Sequence, residues 1–312
     1  MNRFETPRVA VIGATEVGRG WAALAIGAGW PVAIFDPDSG TLTSAEQEIG
    51  DRVETLVRLR RAEGSIAESA LNEMRIGKSL LQTVTDADWI IEAADEELHQ
   101  KQRSLEQIER VCRRAAVVTS SSSFPLSQLC ARVANADRVM VAHPLSPVEL
   151  LPVVEVVSGP NTDPACIEDL RFWLSMLGRA PIVLQKEVPG NILGRVAAAV
   201  WRECIYLVLE GALDVEDVDR ALSVGPSLIW AASGPHLEHV INAGEEGADV
   251  YFSRLLAESE AQWTTLAKFE QLTGEDRLRL MRLVGNAYAA HLPELTEARN
   301  QRLVRLLEAL RE

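Results

Sequence analysis

The sequence has few cysteines and no long apolar run. Its four cysteines, Cys112, Cys130, Cys166 and Cys204, lie far apart and form no C-x-x-C pair, so neither a zinc site nor a disulfide framework is expected. No segment approaches the ~20 consecutive apolar residues needed to cross a membrane, and no apolar signal segment begins the sequence. We therefore expect a soluble cytoplasmic protein with no membrane partner and no resident metal.

Positive charge is also scarce. The sequence has 31 lysines and arginines against 45 acidic residues, which gives a net charge of -14. An acidic protein repels the phosphates of nucleic acids, so DNA or RNA binding is not expected. The 312 residues, 47% of them hydrophobic, are enough for a substantial core and for more than one domain.

The first half of the sequence alternates apolar, strand-like runs with helical stretches. The predicted strands cover residues 8–12, 31–35, 89–92, 116–119, 138–143, 153–157 and 181–184. Apolar strands separated by helices predict an α/β domain with a mostly parallel sheet covered on both faces. After the segment Val188-Pro189-Gly190 only helical periodicity remains. We expect the sheet domain over residues 1–187 and a smaller, all-helical domain over residues 188–312.

A glycine-containing turn follows the first predicted strand. In GATEVG, Gly13 and Gly18 take the first and third positions of a G-x-G-x-x-G motif, Thr15 replaces the middle glycine, and Val17 opens a helix. Such a turn holds the pyrophosphate of a dinucleotide in a Rossmann-type fold. Asp36 ends the second strand, where an acid accepts hydrogen bonds from the adenosine ribose and disfavours a 2′-phosphate. The motif predicts NAD; the alternative is a turn that binds no nucleotide.

A histidine and a glutamate form the candidate catalytic pair. His143 ends one predicted strand, and Glu155 lies within the apolar run VVEVV. A carboxylate in an apolar strand needs a partner, and His143 is the natural one. Such a pair fixes the imidazole tautomer and raises its basicity. The spacing alone is equally compatible with a purely structural hydrogen bond.

Five segments carry a resemblance to a known family: VIGATEVGRGWA, IIEAADEELHQK, TSSSS, VAHPLSPVELLPVVEVV and LQKEVPGNILGRV. In their order and spacing they resemble the L-3-hydroxyacyl-CoA dehydrogenase superfamily, and most closely its carnitine dehydrogenase and L-gulonate 3-dehydrogenase (lambda-crystallin) branch. The resemblance implies an NAD-dependent oxidoreductase that acts on the secondary alcohol of a small 3-hydroxy acid. It also implies a homodimer formed through the C-terminal helices.

The resemblance further implies roles for individual residues. His143 would be the general acid/base, and Glu155 would orient it. Ser122 would hydrogen-bond the substrate oxygen. Glu96 and Lys101 would lie near the ribose and the nicotinamide end of the cofactor.

Several positions depart from the family pattern. Ser146 stands where the family has Asn in H-P-x-N-P, Gly194 replaces the catalytic Asn or Asp, and Ile229 replaces an Arg suited to a substrate carboxylate. Asn191, one helical turn before Gly194, would partly substitute for the missing amide. These changes predict slow turnover and a different substrate anchor. They keep two alternatives open: a true L-3-hydroxyacyl-CoA dehydrogenase, and a catalytically impaired protein that binds NAD or a metabolite.

Three tryptophans stand out in the helical domain: Trp201, Trp230 and Trp263. Aromatic faces can enclose a quaternary ammonium ion, as a carnitine-like substrate would require. Aromatic side chains of helical domains more often pack in the core. We therefore expect these three to be core residues.

Overall fold

The computed structural model describes residues 6–310, and for residues 246 and 248 it describes the backbone alone. The chain divides into two compact units, one ending at Arg195 and the next beginning at Val196. This division lies within the first turn of a helix, whereas the sequence analysis placed the boundary at Val188-Pro189-Gly190. The assignment of a separate task to each domain stays a prediction.

The first unit contains an eight-stranded sheet. Its strands are β1 (Val9–Ile12), β2 (Val32–Phe35), β3 (Arg75–Ile76), β4 (Trp89–Glu92), β5 (Ala116–Thr119), β6 (Val139–Pro144), β7 (Val153–Ser158) and β8 (Ala180–Val183). They lie in the order β3-β2-β1-β4-β5-β6-β7-β8, and among the described residues each neighbouring pair is parallel except β6 and β7. The predicted mostly parallel α/β fold is confirmed. The two-residue strand β3 was not predicted, because so short a run has no periodicity.

Helices cover both faces of this sheet. They are α1 (Glu16–Gly27), α2 (Ser39–Arg58), α3 (Gly64–Asn72), α4 (Leu80–Val84), α5 (Leu98–Val111), α6 (Leu126–Leu129) and α7 (Pro164–Met176). One apolar cluster joins the sheet to α1, α2, α3 and α7, and a second joins it to α4, α5 and α6. All residues of the central strands β1, β4 and β5 are buried, as expected for parallel strands covered on both faces.

Four tryptophans anchor the first of these clusters. The ring of Trp89 lies 5.7 Å from that of Trp21, 6.3 Å from that of Trp30 and 5.6 Å from that of Trp173, measured between centroids. Aromatic side chains bury more apolar area than other residues. This cluster therefore fixes α1 and α7 firmly on one face of the sheet.

The second unit is helical. Its helices are α8 (Leu193–Leu209), which begins in the last residues of the first unit, α9 (Val215–Val224), α10 (Pro226–Ser233), α11 (Pro235–Ala243), α12 (Ala248–Trp263), α13 (Gly274–Tyr288) and α14 (Leu292–Ala309). The predicted helical C-terminal region is confirmed. No helix among residues 6–310 is long and apolar enough to cross a membrane.

The expectation that three tryptophans pack in the core of the helical domain is wrong. Trp201, Trp230 and Trp263 are 65%, 42% and 55% exposed. Helical periodicity identifies an apolar face, but it does not say whether the chain itself covers that face. The exposed apolar surface of this unit therefore needs its own explanation.

Candidate functional site

A cleft of about 310 Å³ lies at the edge of the sheet where parallel strands end. Ligands of open α/β folds bind at this edge. The cleft is lined by Thr15, Glu16, Val17, Ala93, Ala94, Asp95, Glu96, Lys101, Ser120, Ser122, His143, Pro144, Leu145 and Ser146. Six residues predicted for cofactor or substrate therefore share one cavity: Thr15, Val17, Glu96, Lys101, Ser122 and His143.

Two glycines allow the turn between β1 and α1 to pack tightly. Gly13 has a φ of +106°, and a Cβ there would lie 2.5 Å from the carbonyl carbon of Ala93. A Cβ on Gly18 would collide with the carbonyl oxygen of Gly13. Any larger residue at these positions would push the turn away from β4 and α1 away from β1. Both glycines are thus required by packing.

Thr15 caps the first helix. Its hydroxyl accepts a hydrogen bond from the Gly18 N–H at 3.3 Å and donates one to the carbonyl of Ala93 at 2.7 Å. The Thr15 hydroxyl is therefore used to fasten α1 to the end of β4. The N–H groups of Glu16 and Val17, which a helix cannot satisfy internally, remain for an anion at the cleft.

Asp36 holds the turn from its other side. Its carboxylate accepts hydrogen bonds from the N–H of Ala14 at 2.8 Å and of Asp38 at 2.9 Å. A carboxylate has about four acceptor positions, so both ribose hydroxyls can still be accommodated. The tight turn, the helix N-terminus and this acid together fit a bound dinucleotide.

His143 and Glu155 face each other across the antiparallel pair β6–β7. His143 Nδ1 lies 2.8 Å from Glu155 Oε2. Because an ionised carboxylate only accepts hydrogen bonds, Nδ1 carries the proton and Nε2 is left as a base. The other carboxylate oxygen, Oε1, accepts the N–H groups of Ile192 at 2.7 Å and Leu193 at 2.9 Å. Glu155, which is 1% exposed, thus links the imidazole to the N-terminus of α8.

Asn191 and Gly194 lie beside this link. Asn191 is buried, adopts a left-handed conformation with φ of +49°, and donates its N–H to the carbonyl of Val188 at 2.9 Å. A Cβ added at Gly194 would meet no atom within 4 Å. Among the described residues, no atom therefore contacts the position that a Cβ would take at residue 194.

A buried ion pair that sequence analysis missed lies beneath the cleft. Lys101 Nζ is 3.2 Å from Glu92 Oε2 and donates to the carbonyl of Ala94 at 2.9 Å. Glu92 also accepts the hydroxyl of Thr119, its neighbour in the sheet, at 2.5 Å. Burial raises the pKa of Glu92, although the charge of Lys101 opposes this shift. Glu92 ends the apolar run WIIE, so the signal that identified Glu155 was present here too.

Glu96 organises the serine loop after β5. Its Oε1 accepts the hydroxyl of Ser121 at 2.7 Å and the N–H groups of Ser122 and Ser123 at 3.0 and 2.8 Å. Burial alone would raise the pKa of Glu96, but the Ser121 hydroxyl and the nearby charge of Lys101 hold it below its ordinary value. The Ser122 hydroxyl lies 3.4 Å from the same oxygen. Glu96 therefore fixes where Ser122 enters the cleft.

The Glu92–Lys101 pair predicts a strong coupling in stability. Lys101→Met should lower the free energy of unfolding by about 3–5 kcal/mol, because it leaves a buried carboxylate without its cation. The double variant Glu92→Gln/Lys101→Met should recover most of this loss. Urea denaturation followed by tryptophan fluorescence, with Glu92→Gln completing the cycle, measures the coupling. If the losses in unfolding free energy of the two single variants simply add up to that of the double variant, the pairing is contradicted.

Comparison with known proteins supports the dinucleotide site. Residues 8–188 match the model of the 3-hydroxyacyl-CoA dehydrogenase NAD-binding domain. An L-carnitine dehydrogenase of a Pseudomonas species is 32% identical over 307 residues, covering 96% of this chain and 93% of that protein. An L-carnitine dehydrogenase of Bacillus cereus is 30% identical over 315 residues, covering 99% and 94%. The first half of the chain is thus an NAD-binding domain.

Solved structures agree in fold. A 5-formyl-3-hydroxy-2-methylpyridine 4-carboxylic acid 5-dehydrogenase superposes with a TM-score of 0.82 at 24% identity, covering 98% of this chain and 99% of the other. A 3-hydroxybutyryl-CoA dehydrogenase of Escherichia coli superposes with a TM-score of 0.64 at 27% identity, covering 83% and 53%. On the evidence of its cleft, its NAD-binding domain and its relatives, the chain belongs to the 3-hydroxyacyl-CoA dehydrogenase family.

Proposed function

We propose that this chain is an NAD-dependent dehydrogenase of a small 3-hydroxy acid, of the carnitine or gulonate kind. The observation that carries the proposal is the His143–Glu155 pair, which opens onto the same cleft as the dinucleotide turn. The relatives named L-carnitine dehydrogenase, similar over nearly the whole chain, support the substrate class.

The acid/base step follows from the hydrogen bonds of His143. With Nδ1 held by Glu155, Nε2 takes the proton of the substrate hydroxyl, and in the reverse direction it returns that proton. The Glu155 carboxylate stabilises the imidazolium, and the N–H groups of Ile192 and Leu193 hold that carboxylate in place. Bound NAD would supply the acceptor for the hydride that leaves the carbinol carbon.

Other residues of the cleft would bind and orient. The turn at Gly13, Thr15, Val17 and Gly18 would cradle the pyrophosphate, and Asp36 would bind the ribose. Ser122, which Glu96 positions, would hydrogen-bond the substrate oxygen. Lys101 would support Glu96, whose carboxylate lies 3.6 Å from its ammonium group, while its nearer carboxylate is that of Glu92. Asn191 would supply the amide that position 194 lacks.

A substrate panel tests the proposal. With NAD, we expect turnover of 3-hydroxy acids such as L-carnitine and L-gulonate, little turnover of 3-hydroxyacyl-CoA thioesters, and tighter binding of NADH than of NADPH. Gly194→Asn should raise kcat up to ~10²-fold, since one donor to a developing oxyanion contributes about that much. Steady-state kinetics and fluorescence titration measure both effects. Binding of neither nucleotide would favour the non-catalytic alternative, and preferred turnover of thioesters would favour the acyl-CoA one.

Glu155→Gln should lower kcat by about 10²- to 10⁴-fold, because an amide cannot stabilise the imidazolium or enforce its tautomer. The affinity for NADH should stay within about twofold of wild type. The matched control is Glu168→Gln, an exposed glutamate of α7, which should leave kcat unchanged. Near-wild-type kcat in Glu155→Gln would mean that the His–Glu contact is only structural.

We also propose a homodimer formed through the C-terminal helices and a cytoplasmic location. Trp201, Val224, Leu278, Met281 and Leu292 of the helical unit are 62–67% exposed, and apolar surface of this extent is typical of an interface. The four cysteines are free thiols, as expected in a reducing compartment.

For a homodimer, light scattering after size-exclusion chromatography should give a mass of twice 34.2 kDa. Trp201→Asp should shift the protein towards monomer, because a carboxylate would be buried at the interface. Leu81→Asp, at another exposed apolar position, in the first unit, should leave the dimer intact. A monomeric wild type would contradict the proposal.

A further inference from the structure

An acidic side chain stands at the pyrophosphate cradle. Glu16 is the first residue of α1 and lines the cleft beside Thr15 and Val17. Its Oε2 accepts the hydroxyl of Ser146 at 2.6 Å. Ser146 is the residue that replaces the family's Asn after His143. The carboxylate therefore joins the helix that would bind the cofactor to the loop that follows the catalytic histidine.

The arginines near Glu16 do not neutralise it fully. Arg52 lies 3.4 Å from Glu16 Oε1, but it makes a shorter contact, 2.7 Å, with Glu149. Arg19, in the next turn of α1, pairs with Glu48 and with the carbonyl of Ala14. Two cations are thus shared among three carboxylates, Glu16, Glu48 and Glu149. Within this group of five side chains the carboxylates outnumber the arginines by one.

A dinucleotide brings two further negative charges to the same place. The N-terminus of α1 would attract them through its N–H groups and its dipole, while the Glu16 carboxylate would repel them. Like charges a few ångströms apart repel substantially even where solvent enters. Ser146 holds the carboxylate at this position instead of leaving it free to turn into solvent.

We propose that Glu16, held by Ser146, is a specificity-determining residue that weakens the binding of dinucleotides through charge repulsion at the pyrophosphate. The inference rests on the proposed function, because it concerns the same cofactor cradle. The carboxylate would act on affinity without any contact to the reacting atoms.

Calorimetric titration of the purified full-length protein with NADH, ADP-ribose and adenosine tests the inference. Glu16→Gln keeps an acceptor for Ser146 and removes only the charge. We expect it to bind NADH and ADP-ribose about threefold to tenfold more tightly than wild type at low salt, with a smaller gain near 1 M salt. Adenosine, which has no phosphate, should bind both proteins equally.

Two variants separate charge from other causes. Glu54→Gln makes the same charge change at an exposed position of α2 and should not alter NADH affinity. Ser146→Ala loses the hydrogen bond but keeps the carboxylate, and should change affinity less than Glu16→Gln. An equal gain in Ser146→Ala, or a gain in Glu16→Gln that salt does not reduce, would overturn the inference. Failure of every variant to bind NADH or ADP-ribose would contradict the proposed function itself, whereas normal binding with no gain in Glu16→Gln contradicts the inference alone.

Discussion

The site depends on one carboxylate with two sets of partners. Glu155 fixes the imidazole of His143 with one oxygen and receives two N–H groups from the start of α8 with the other. A buried charge is stable only when it is paired and hydrogen-bonded, so the backbone at Ile192 and Leu193 and the orientation of the histidine are set by the same group. The antiparallel register of β6 and β7 makes this possible, because it places residues 143 and 155 directly opposite each other. A one-residue slip would turn Glu155 to the other face of the sheet.

The same principle is repeated three strands away from Glu155. Glu92 ends β4 as a buried carboxylate, and Lys101, Thr119 and the N–H of Ala94 satisfy it. Lys101 in turn lies 3.6 Å from Glu96, which holds the serine loop. The floor of the cleft is therefore a connected polar network whose members are all supported by neighbours. Networks of this kind fix a single geometry, which a hydride transfer requires.

Much of the fold could be predicted from the sequence because its signals are local. All seven predicted strands lie within one residue of the observed ones at each end, and the glycine turn is recognised from its spacing. The pairing of Lys101 with Glu92 could not be predicted. It joins a helix to the end of the preceding strand, and it depends on side-chain directions that the sequence does not show. The exposure of Trp201 was also not predicted. An apolar pattern identifies a face that favours burial, but it does not identify the surface that covers that face.

The departures from the family pattern fall unequally on the two halves of the site. In the glycine turn, the Thr15 hydroxyl donates a hydrogen bond to the carbonyl of Ala93. The close contacts at Gly13 and Gly18 leave no room for a side chain. The turn between β1 and α1 is thus tightly packed, with the Thr15 side chain held against the end of β4. At Gly194, which the resemblance aligns with a catalytic amide, a Cβ would meet no atom of the described residues within 4 Å. Backbone N–H groups survive substitution of a side chain, whereas a lost side-chain amide takes its hydrogen bond with it. Divergence of this chain from its relatives is therefore expected in the choice of substrate before the choice of cofactor.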